Sequence, residues 1–127
     1  MRVLLDTNVL LWWLGGDPRV TPYVPTIADP RNEVYFSSVS AVEISIKVSL
    51  GKLVVPAVYL DTLRRQGIEE LAVTARHGQA VAGLPWHHRD PFDRMLIAQA
   101  LTEGWPVLTS DRIFRRYGLR VLPDQPA

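Results

Sequence analysis

A short apolar run near the start of the chain ends on an acidic residue, and a helix-starting pair follows directly. The run Val3–Leu5 predicts a buried strand of a parallel sheet, because strands covered on both faces are apolar throughout. Thr7 or Asn8 can cap a helix over residues 9–14. Ligands of α/β proteins bind at the carboxyl ends of such strands, so Asp6 is the first candidate site residue.

Strand patterns alternate with helix patterns along the rest of the sequence. Predicted strands lie at 3–5, 34–36, 70–73, 106–108 and 119–122, and predicted helices at 9–14, within 20–28, and at 41–50, 58–65, 75–82, 90–101 and 112–117. This alternation predicts an α/β fold in which helices cover both faces of a parallel sheet, a three-layer α/β/α sandwich. A chain of 127 residues is long enough to form one such domain, from residue 1 to residue 127.

The composition excludes several kinds of protein and site. The chain has no cysteine, which excludes disulfides, thiolate nucleophiles and metal sites built on cysteine. Its net charge of +1 argues against a general basic surface, so local patches must hold any nucleic-acid partner. The apolar stretch at 3–14 is too short and too interrupted for a signal peptide, and no run of about 20 apolar residues predicts a membrane span. We therefore expect a cytoplasmic protein.

The first predicted helix has no polar face, because residues 9–14 read VLLWWL. A short helix of this kind is either wholly buried or shared with another chain. The sequence leaves both alternatives open.

Four acidic side chains are candidate metal ligands at one edge of the predicted sheet. Asp6 and Asp111 follow strands and Asp93 opens a helix, whereas Glu43 reaches the same edge only if its helix crosses above it. Four carboxylates in one cleft would repel one another and take up protons unless a cation compensates their charge. Ligands that are all oxygens select a hard ion, Mg²⁺ or Mn²⁺. Such ions can activate water and stabilise the leaving oxygen when a phosphodiester is hydrolysed.

Structural roles compete with the metal-binding role at several of these positions. Asp111 could cap the helix that follows it, and Glu43 could form an exposed pair with Lys47 one helical turn away. Asp90 is the expected N-cap of the helix that carries Asp93. Because Asp93 shares a helix face with apolar residues, we expect it to point inward and to be the site residue of that helix.

Basic and aromatic side chains near these acids are candidates for holding a phosphate-containing substrate. Six basic residues could bind flanking phosphates: Lys47, Arg89, Arg94, Arg112, Arg115 and Arg116. Trp86 could stack on an unpaired base, although core packing is its preferred interpretation. His87 and His88 are adjacent and cannot share a helix face, so they cannot form a His-x₃-His metal site. We expect both to be solvated.

Four segments of the sequence together resemble one known family. They read LLDTN at 4–8, SAVEISIK at 40–47, HRDPFDR at 88–94 and LTSD at 108–111, with supporting segments GKL at 51–53 and LIAQA at 96–100. In this order and spacing they are similar to the PIN-domain ribonucleases of the VapC type, the toxins of bacterial toxin–antitoxin pairs. The similarity runs nearly from end to end of the chain.

The resemblance implies a Rossmann-like PIN sandwich around a parallel sheet of four to five strands, and an endoribonuclease that hydrolyses RNA with Mg²⁺ or Mn²⁺. The family's catalytic, metal-binding acids fall on Asp6, Glu43, Asp93 and Asp111. Candidate substrate contacts are Asn8, Arg94, Thr109, Ser110 and Arg112. The family's hydroxyl-bearing position matches either Thr109 or Ser110. The implied partners are an RNA substrate and a small antitoxin protein, in a homodimer or a toxin–antitoxin hetero-oligomer.

Two other classes of protein are alternatives to this nuclease. A receiver-like signalling domain also places acids at strand ends, but it needs an acidic pair after the first strand, where Asp6 is followed by Thr7 and Asn8. It also needs a lysine beyond the last strand, and no lysine follows Leu108. The second alternative is a PIN scaffold that binds RNA or protein without cutting. The presence of all four acids argues against it.

Overall fold

The structure of this protein is a computed structural model that describes residues 1–124, so the last three residues of the predicted domain lie outside the described part. The strands are β1 (Arg2–Leu5), β2 (Glu33–Ser37), β3 (Ile68–Leu71), β4 (Val107–Leu108) and β5 (Val121–Leu122). The α-helices are α1 (Thr7–Gly15), α2 (Val24–Ile27), α3 (Ser38–Ser49), α4 (Tyr59–Arg65), α5 (Ala75–Ala80) and α6 (Pro91–Glu103). Short 3₁₀ helices cover Pro18–Tyr23, Val81–Gly83 and Arg112–Tyr117.

The strands within residues 1–124 form one parallel sheet in the order β3-β2-β1-β4-β5. Strand β1 is central, because the chain adds β2 and β3 on one side before it returns to add β4 and β5 on the other. The boundary between β1 and β4 is therefore the switch point of the sheet, where the carboxyl ends of adjacent strands open a crevice. The predicted α/β fold with a parallel central sheet is confirmed.

Alternate residues of β1 face opposite layers of the sandwich. Val3 and Leu5 are buried in one core, which includes Leu63 of α4. Leu4 is buried in the other core, which includes Leu96 of α6. Burial on both faces explains why β1 is apolar throughout. It also leaves the carboxyl end of the strand as the place where β1 can contribute a polar side chain.

Helix α1 packs against its own domain. Val9 and Leu10 are fully buried, and the side chains of residues 11–14 are partly buried against the same core. The indole Nε1 of Trp13 donates a hydrogen bond to Oε1 of Gln66 at 2.8 Å. Burial within the chain thus accounts for most of the apolar character of this helix. Neither α1 nor any other helix of residues 1–124 is long and apolar enough to cross a membrane.

Element boundaries differ from the sequence prediction where strand pairing decides them. Helix α3 begins at Ser38 and not at residue 41, because β2 continues to Ser37. The hydroxyl of Ser37 then caps the helix by accepting the N–H of Val39 at 3.0 Å. Strand β3 lies two residues earlier than predicted, since it pairs in parallel register with β2. Both shifts are small, and the order of the elements follows the prediction.

Candidate active site

Asp6 occupies the carboxyl end of the central strand, at the switch point of the sheet. Its N–H donates to the carbonyl of Leu108 at 3.0 Å, and its Oδ2 accepts a hydrogen bond from the hydroxyl of Thr109 at 2.6 Å. Only 4% of Asp6 is exposed. Burial raises the pKa of Asp6 to about 6; the Thr109 hydrogen bond opposes this rise, and repulsion by Glu43 and Asp111 adds to it. The Thr109 hydroxyl therefore orients the Asp6 carboxylate through a direct hydrogen bond.

Asp93 lies in the first turn of α6 and interacts with Asp6. The N-cap of this helix is Asp90, whose Oδ1 accepts two backbone N–H groups of the first turn at 2.8 and 3.2 Å, so the predicted cap is confirmed. Burial raises the pKa of Asp93 to about 7. Repulsion by Asp6, Asp90 and Glu43 adds to this rise, whereas His88 opposes it. Asp93 therefore lies close enough to the other acids for their charges to raise its pKa.

Asp111 follows β4, and its two carboxylate oxygens have different partners. Oδ1 accepts the N–H of Ile113 at 2.9 Å and so caps the 3₁₀ helix that follows. Oδ2 lies 2.8 Å from Nε2 of His88. The N–H of Asp111 donates to the hydroxyl of Thr109 at 3.0 Å, and this is the same hydroxyl that donates to Asp6. The capping alternative is therefore correct for one oxygen, while the other oxygen lies at the switch point.

Glu43 joins these acids from α3. A 2.8 Å hydrogen bond between the hydroxyls of Ser40 and Thr7 ties the start of α3 to the start of α1 at this edge of the sheet. The Glu43 side chain is 13% exposed, and its Oε2 lies 3.2 Å from Nζ of Lys47. Its Oε1 is buried and has no hydrogen-bond partner among residues 1–124. The alternative ion pair between Glu43 and Lys47 does form, but it gives a partner to Oε2 and not to Oε1.

We call the four predicted acids, Asp6, Glu43, Asp93 and Asp111, the acidic cluster, because the charges of Glu43, Asp93 and Asp111 lie close enough to interact with Asp6. Repulsion from Glu43 contributes to the raised pKa of both Asp6 and Asp93. Carboxylate oxygens of Asp93 and Asp111 lie within 4.8 Å of each other and of Nε2 of His88. Raised pKa values and a buried oxygen without a partner indicate negative charge that the described residues do not fully compensate. The cluster therefore fits a divalent cation that prefers oxygen ligands.

His88 is a site residue that sequence reasoning did not identify. The expectation that it is solvated is wrong, since its side chain is 12% exposed. Nε2 of His88 lies 2.8 Å from Oδ2 of Asp111 and 3.0 Å from Oδ2 of Asp93. The sequence does carry a signal for this placement: His88 lies two residues before the Asp-Pro pair that starts α6 and at the same helix end as Asp93. The neighbouring His87 is half-buried.

Arg94 holds a loop and is not free to bind a substrate phosphate, which corrects the prediction. Only 4% of Arg94 is exposed. Its guanidinium donates hydrogen bonds of 2.9 to 3.3 Å to four backbone carbonyls, those of Val81, Leu84, Pro85 and His88. The guanidinium carbon also lies 3.8 Å from the centre of a Trp86 ring. Trp86 is 74% exposed, so the expectation that it packs in the core is wrong as well.

The other predicted substrate contacts lie along two clefts. Ser110 and Arg112 line a cleft of about 340 Å³ that Asp111 also borders. Tyr23 lines the same cleft, where burial raises the pKa of its phenol and Ser110 opposes that rise. Asn8 is exposed and lines a different cleft of about 380 Å³ on the side of α1. Ser110 and Arg112 are therefore next to the acidic cluster, and Asn8 is placed apart from them.

These features define a class of protein, an α/β domain with an acidic cleft at the switch point of a five-stranded parallel sheet. The model of the PIN-domain family, described as "PIN domain", matches residues 3–119. The chain therefore belongs to the PIN-domain family, as the resemblance in its sequence predicts.

Similar proteins and structures carry VapC or VapBC in their names. Ribonuclease VapC22 of Mycobacterium tuberculosis (strain ATCC 25618 / H37Rv) is 24% identical over 118 residues, which cover 91% of each chain. A chain of VapBC2 from Rickettsia felis, solved with a DNA fragment from the VapBC2 promoter, is similar with a TM-score of 0.67 and 17% identity. The match covers 95% of this chain and 97% of the Rickettsia chain. A chain of DNA-bound VapBC from Salmonella typhimurium has a TM-score of 0.66 at 21% identity, covering 95% and 96%. At these identities the two structures show the fold.

Proposed function

We propose that this protein is an endoribonuclease of the VapC type, which hydrolyses RNA phosphodiester bonds with Mg²⁺ or Mn²⁺ held by Asp6, Glu43, Asp93 and Asp111. The observation that carries the proposal is the buried Glu43 oxygen without a partner among residues 1–124, close to two aspartates with raised pKa values. Such a concentration of carboxylates suits a hard divalent ion. The relative named as a ribonuclease supports the same activity.

The residues of the cluster are held so that they can receive a cation. The Thr109 hydroxyl fixes Oδ2 of Asp6, and the N–H of Ile113 fixes Oδ1 of Asp111. The chemistry supplied by a bound Mg²⁺ or Mn²⁺ is activation of water and compensation of charge on the phosphodiester. Asp6 and Asp93 would be ionised when they hold a cation, because their raised pKa values reflect burial and repulsion that a positive charge would relieve.

Residues beside the acidic cluster would hold the RNA. The start of α6 carries the partial positive charge of a helix N-terminus, which favours phosphate oxygens. Arg112 is exposed, and with Ser110 it lines the cleft that Asp111 borders, so both are placed to contact a phosphate. Asn8 would contact RNA only along the neighbouring cleft. The exposed ring of Trp86 offers a surface on which an unpaired base can stack.

The same proposal makes the chain the toxin of a toxin–antitoxin pair. The structures of similar fold come from VapBC assemblies, and the sequence resembles the VapC partner of such pairs. We expect a small antitoxin protein to inhibit the nuclease in a toxin–antitoxin hetero-oligomer, and the free chain to form a homodimer. We expect the protein to act in the cytoplasm, where its RNA substrates would be.

A cleavage assay with mixed RNA tests the nuclease. Purified protein is incubated with Mg²⁺ or Mn²⁺, with EDTA, and as the Asp6→Asn variant with the same ions. We expect cleavage in the first tube alone, because the other two lack either the cation or one of its ligands. Equal cutting in all three tubes would mean a contaminating nuclease and would remove the support. RNA that is bound but left intact would favour the non-cutting PIN module.

Expression of the chain by itself in a bacterium tests the toxin. We expect growth to arrest with the intact chain and to continue with Asp93→Asn at an equal protein level, because the variant lacks one metal-binding carboxylate. Growth rate and protein level are measured together after induction. Unimpaired growth with the intact chain would contradict the toxin proposal and leave the nuclease to be judged by the cleavage assay.

A further inference from the structure

We propose that His88 is a positioning residue, whose Nε2–H holds the carboxylate of Asp111 in place for a cation, beside that of Asp93, without itself binding the cation. This inference rests on the proposed function, because it assigns His88 a part in the same site. It concerns a residue outside the four acids, and it follows from the contacts on every side of the imidazole ring.

The chain fixes the imidazole of His88 through its backbone and through its ring. The N–H of His88 donates to the hydroxyl of Tyr117 at 2.8 Å, and its carbonyl accepts a hydrogen bond from Arg94 at 3.2 Å. Its ring packs edge-on against Phe114, with 6.0 Å between the ring centres. Nδ1 accepts the N–H of Asp90 at 3.2 Å. The ring therefore has one orientation, with Nε2 between the two acids.

The hydrogen bond at Nδ1 decides which nitrogen carries the proton. Because Nδ1 accepts the N–H of Asp90, Nδ1 presents a lone pair, and a neutral ring must carry its proton on Nε2. Nε2 then donates to Oδ2 of Asp111 at 2.8 Å and lies 3.0 Å from Oδ2 of Asp93. A histidine that binds a metal usually donates its other ring N–H to an acceptor. In His88 the other ring nitrogen, Nδ1, accepts a hydrogen bond from Asp90. Binding of a cation through Nε2 would therefore require that hydrogen bond to break.

The hydrogen bond from His88 completes the orientation of the Asp111 carboxylate, and the same nitrogen lies against Asp93. Asp111 has Oδ1 bound to the N–H of Ile113 and Oδ2 bound to His88, so both of its oxygens are oriented. Asp93 contacts His88 through Oδ2. Each oxygen keeps a further lone pair for a cation. Loss of an outer hydrogen bond of this kind lowers metal affinity about 10–100-fold.

His77 provides a matched control outside the site. Its Nδ1 accepts the N–H of Thr74 at 3.0 Å, and its Nε2 lies 2.9 Å from Oε1 of Glu103. This arrangement has the same chemistry as that of His88. Glu103 ends α6 while Asp93 lies in its first turn, a separation of about 15 Å along the helix. Changes at His77 therefore report on a histidine–carboxylate contact that is remote from the acidic cluster.

The experiment measures Mn²⁺ affinity by titration calorimetry for four proteins: the wild type, His88→Gln, His88→Asn and His77→Asn. A glutamine amide can place its N–H at the Nε2 position, whereas the shorter asparagine amide cannot reach the acids. We expect His88→Asn to lose about 10–100-fold in affinity, His88→Gln to stay within a few-fold of the wild type, and His77→Asn to match it. Circular dichroism confirms that each variant is folded.

Nitrogen NMR of the wild type with ¹⁵N-labelled histidine adds a readout that does not depend on activity. We expect His88 to carry its proton on Nε2 both without and with Mg²⁺. A proton on Nδ1, or loss of the Nε2 proton when Mg²⁺ is added, would overturn the inference and make His88 a ligand. Equal Mn²⁺ affinity of His88→Asn and the wild type would also overturn it.

The outcomes for this inference and for the proposed function are separable. Mn²⁺ binding that depends on His88, without RNA cleavage, would overturn the nuclease and keep the positioning role. A wild type that binds neither Mg²⁺ nor Mn²⁺ would overturn both.

Discussion

The hydroxyl of Thr109 connects the carboxyl ends of the two central strands through a single side chain. It donates to Oδ2 of Asp6 at 2.6 Å and accepts the N–H of Asp111 at 3.0 Å. One hydroxyl thus orients an acid of β1 and the backbone of an acid that follows β4. Thr109 is buried, and both hydrogen bonds of its hydroxyl are made to these acids.

Thr109→Val tests this support. Valine has nearly the shape of threonine, so the change removes the hydrogen bond while it keeps the volume. Because the hydrogen bond lowers the pKa of Asp6, we expect that pKa to rise further and Mn²⁺ affinity to fall about 10–100-fold. Titration calorimetry measures the affinity, and Thr109→Ser, which keeps the hydroxyl, is the control. A valine variant that binds Mn²⁺ as well as the wild type would show that other contacts orient Asp6.

Residues whose position follows from the backbone pattern could be predicted from the sequence. Asp6 ends a strand and Asp93 opens a helix, and both lie where that pattern places them. His88 and Arg94 could not be assigned, because their roles depend on partners that the folded chain supplies. In the sequence Arg94 looks like the exposed Arg112, and only the folded loop at 81–89 provides the carbonyls that bury it.

Helix α6 connects the acidic cluster to the loop that precedes it. Its N-cap Asp90 binds the first turn, Asp93 joins the cluster, and Arg94 holds the loop at 81–89. Further along the helix, Gln99 accepts a hydrogen bond from the hydroxyl of Ser37, the residue that caps α3. Helix α6 therefore positions Asp93, the loop at 81–89 and the start of α3.

Arg94→Met tests the hold of α6 on the loop. Methionine fills similar space but donates no hydrogen bonds, so four carbonyls lose a charged donor. We expect the free energy of unfolding to fall by about 2–4 kcal/mol, measured by urea denaturation. Arg112→Met is the matched control at an exposed position and should change stability by less than about 0.5 kcal/mol. Equal stability of the two variants would contradict the role given to Arg94.

The boundaries of elements were harder to predict than their order, for reasons visible in α3 and β3. Three serines at 37, 38 and 40 can each cap a helix, and the extent of β2 decides that Ser37 does so. Strand β3 reads IEEL, with its two glutamates exposed at the edge of the sheet. Its sequence lacks the apolar run that marks a central strand, and pairing with β2 sets its register.

At the scale of the whole molecule, the buried acids make the stability of the metal-free protein depend on pH. The pKa values of Asp6 and Asp93 lie above their ordinary value of 3.8, chiefly because burial disfavours the charged forms. Between about pH 4 and about pH 7 the folded state therefore binds more protons than the unfolded state. The free energy of unfolding falls as the pH rises through this window, by about 3 kcal/mol for Asp6 alone.

Unfolding in EDTA at about pH 5 and about pH 8 measures this effect. We expect a lower Tm at the higher pH, and a smaller difference in Asp6→Asn and Asp93→Asn. Asp17→Asn is the control away from the acidic cluster, because the hydrogen bonds from Arg19 lower the pKa of Asp17 to about 2 and its titration falls outside the window. Added Mn²⁺ should raise the Tm more at pH 8 than at pH 5, since it competes with protons for the acids. If the Tm in EDTA is the same at both pH values, burial does not raise the pKa values of Asp6 and Asp93.

The fold as a whole was predictable because alternating strand and helix patterns favour a parallel sheet, and the structure confirms that architecture. The place of Glu43 was not predictable in the same way. Whether α3 brings Glu43 to the carboxyl edge depends on how β1, β2 and their helices pack, which the pattern of one helix does not contain. The Ser40–Thr7 contact that settles the position joins residues 33 apart in the chain.

The central position of β1 has a consequence for synthesis. Strand β1 is translated before β4, which completes one side of it, and the Thr109–Asp6 contact spans 103 residues. A nascent chain therefore lacks the paired centre of the sheet, and with it the hydrogen bond that orients Asp6, until β4 has left the ribosome.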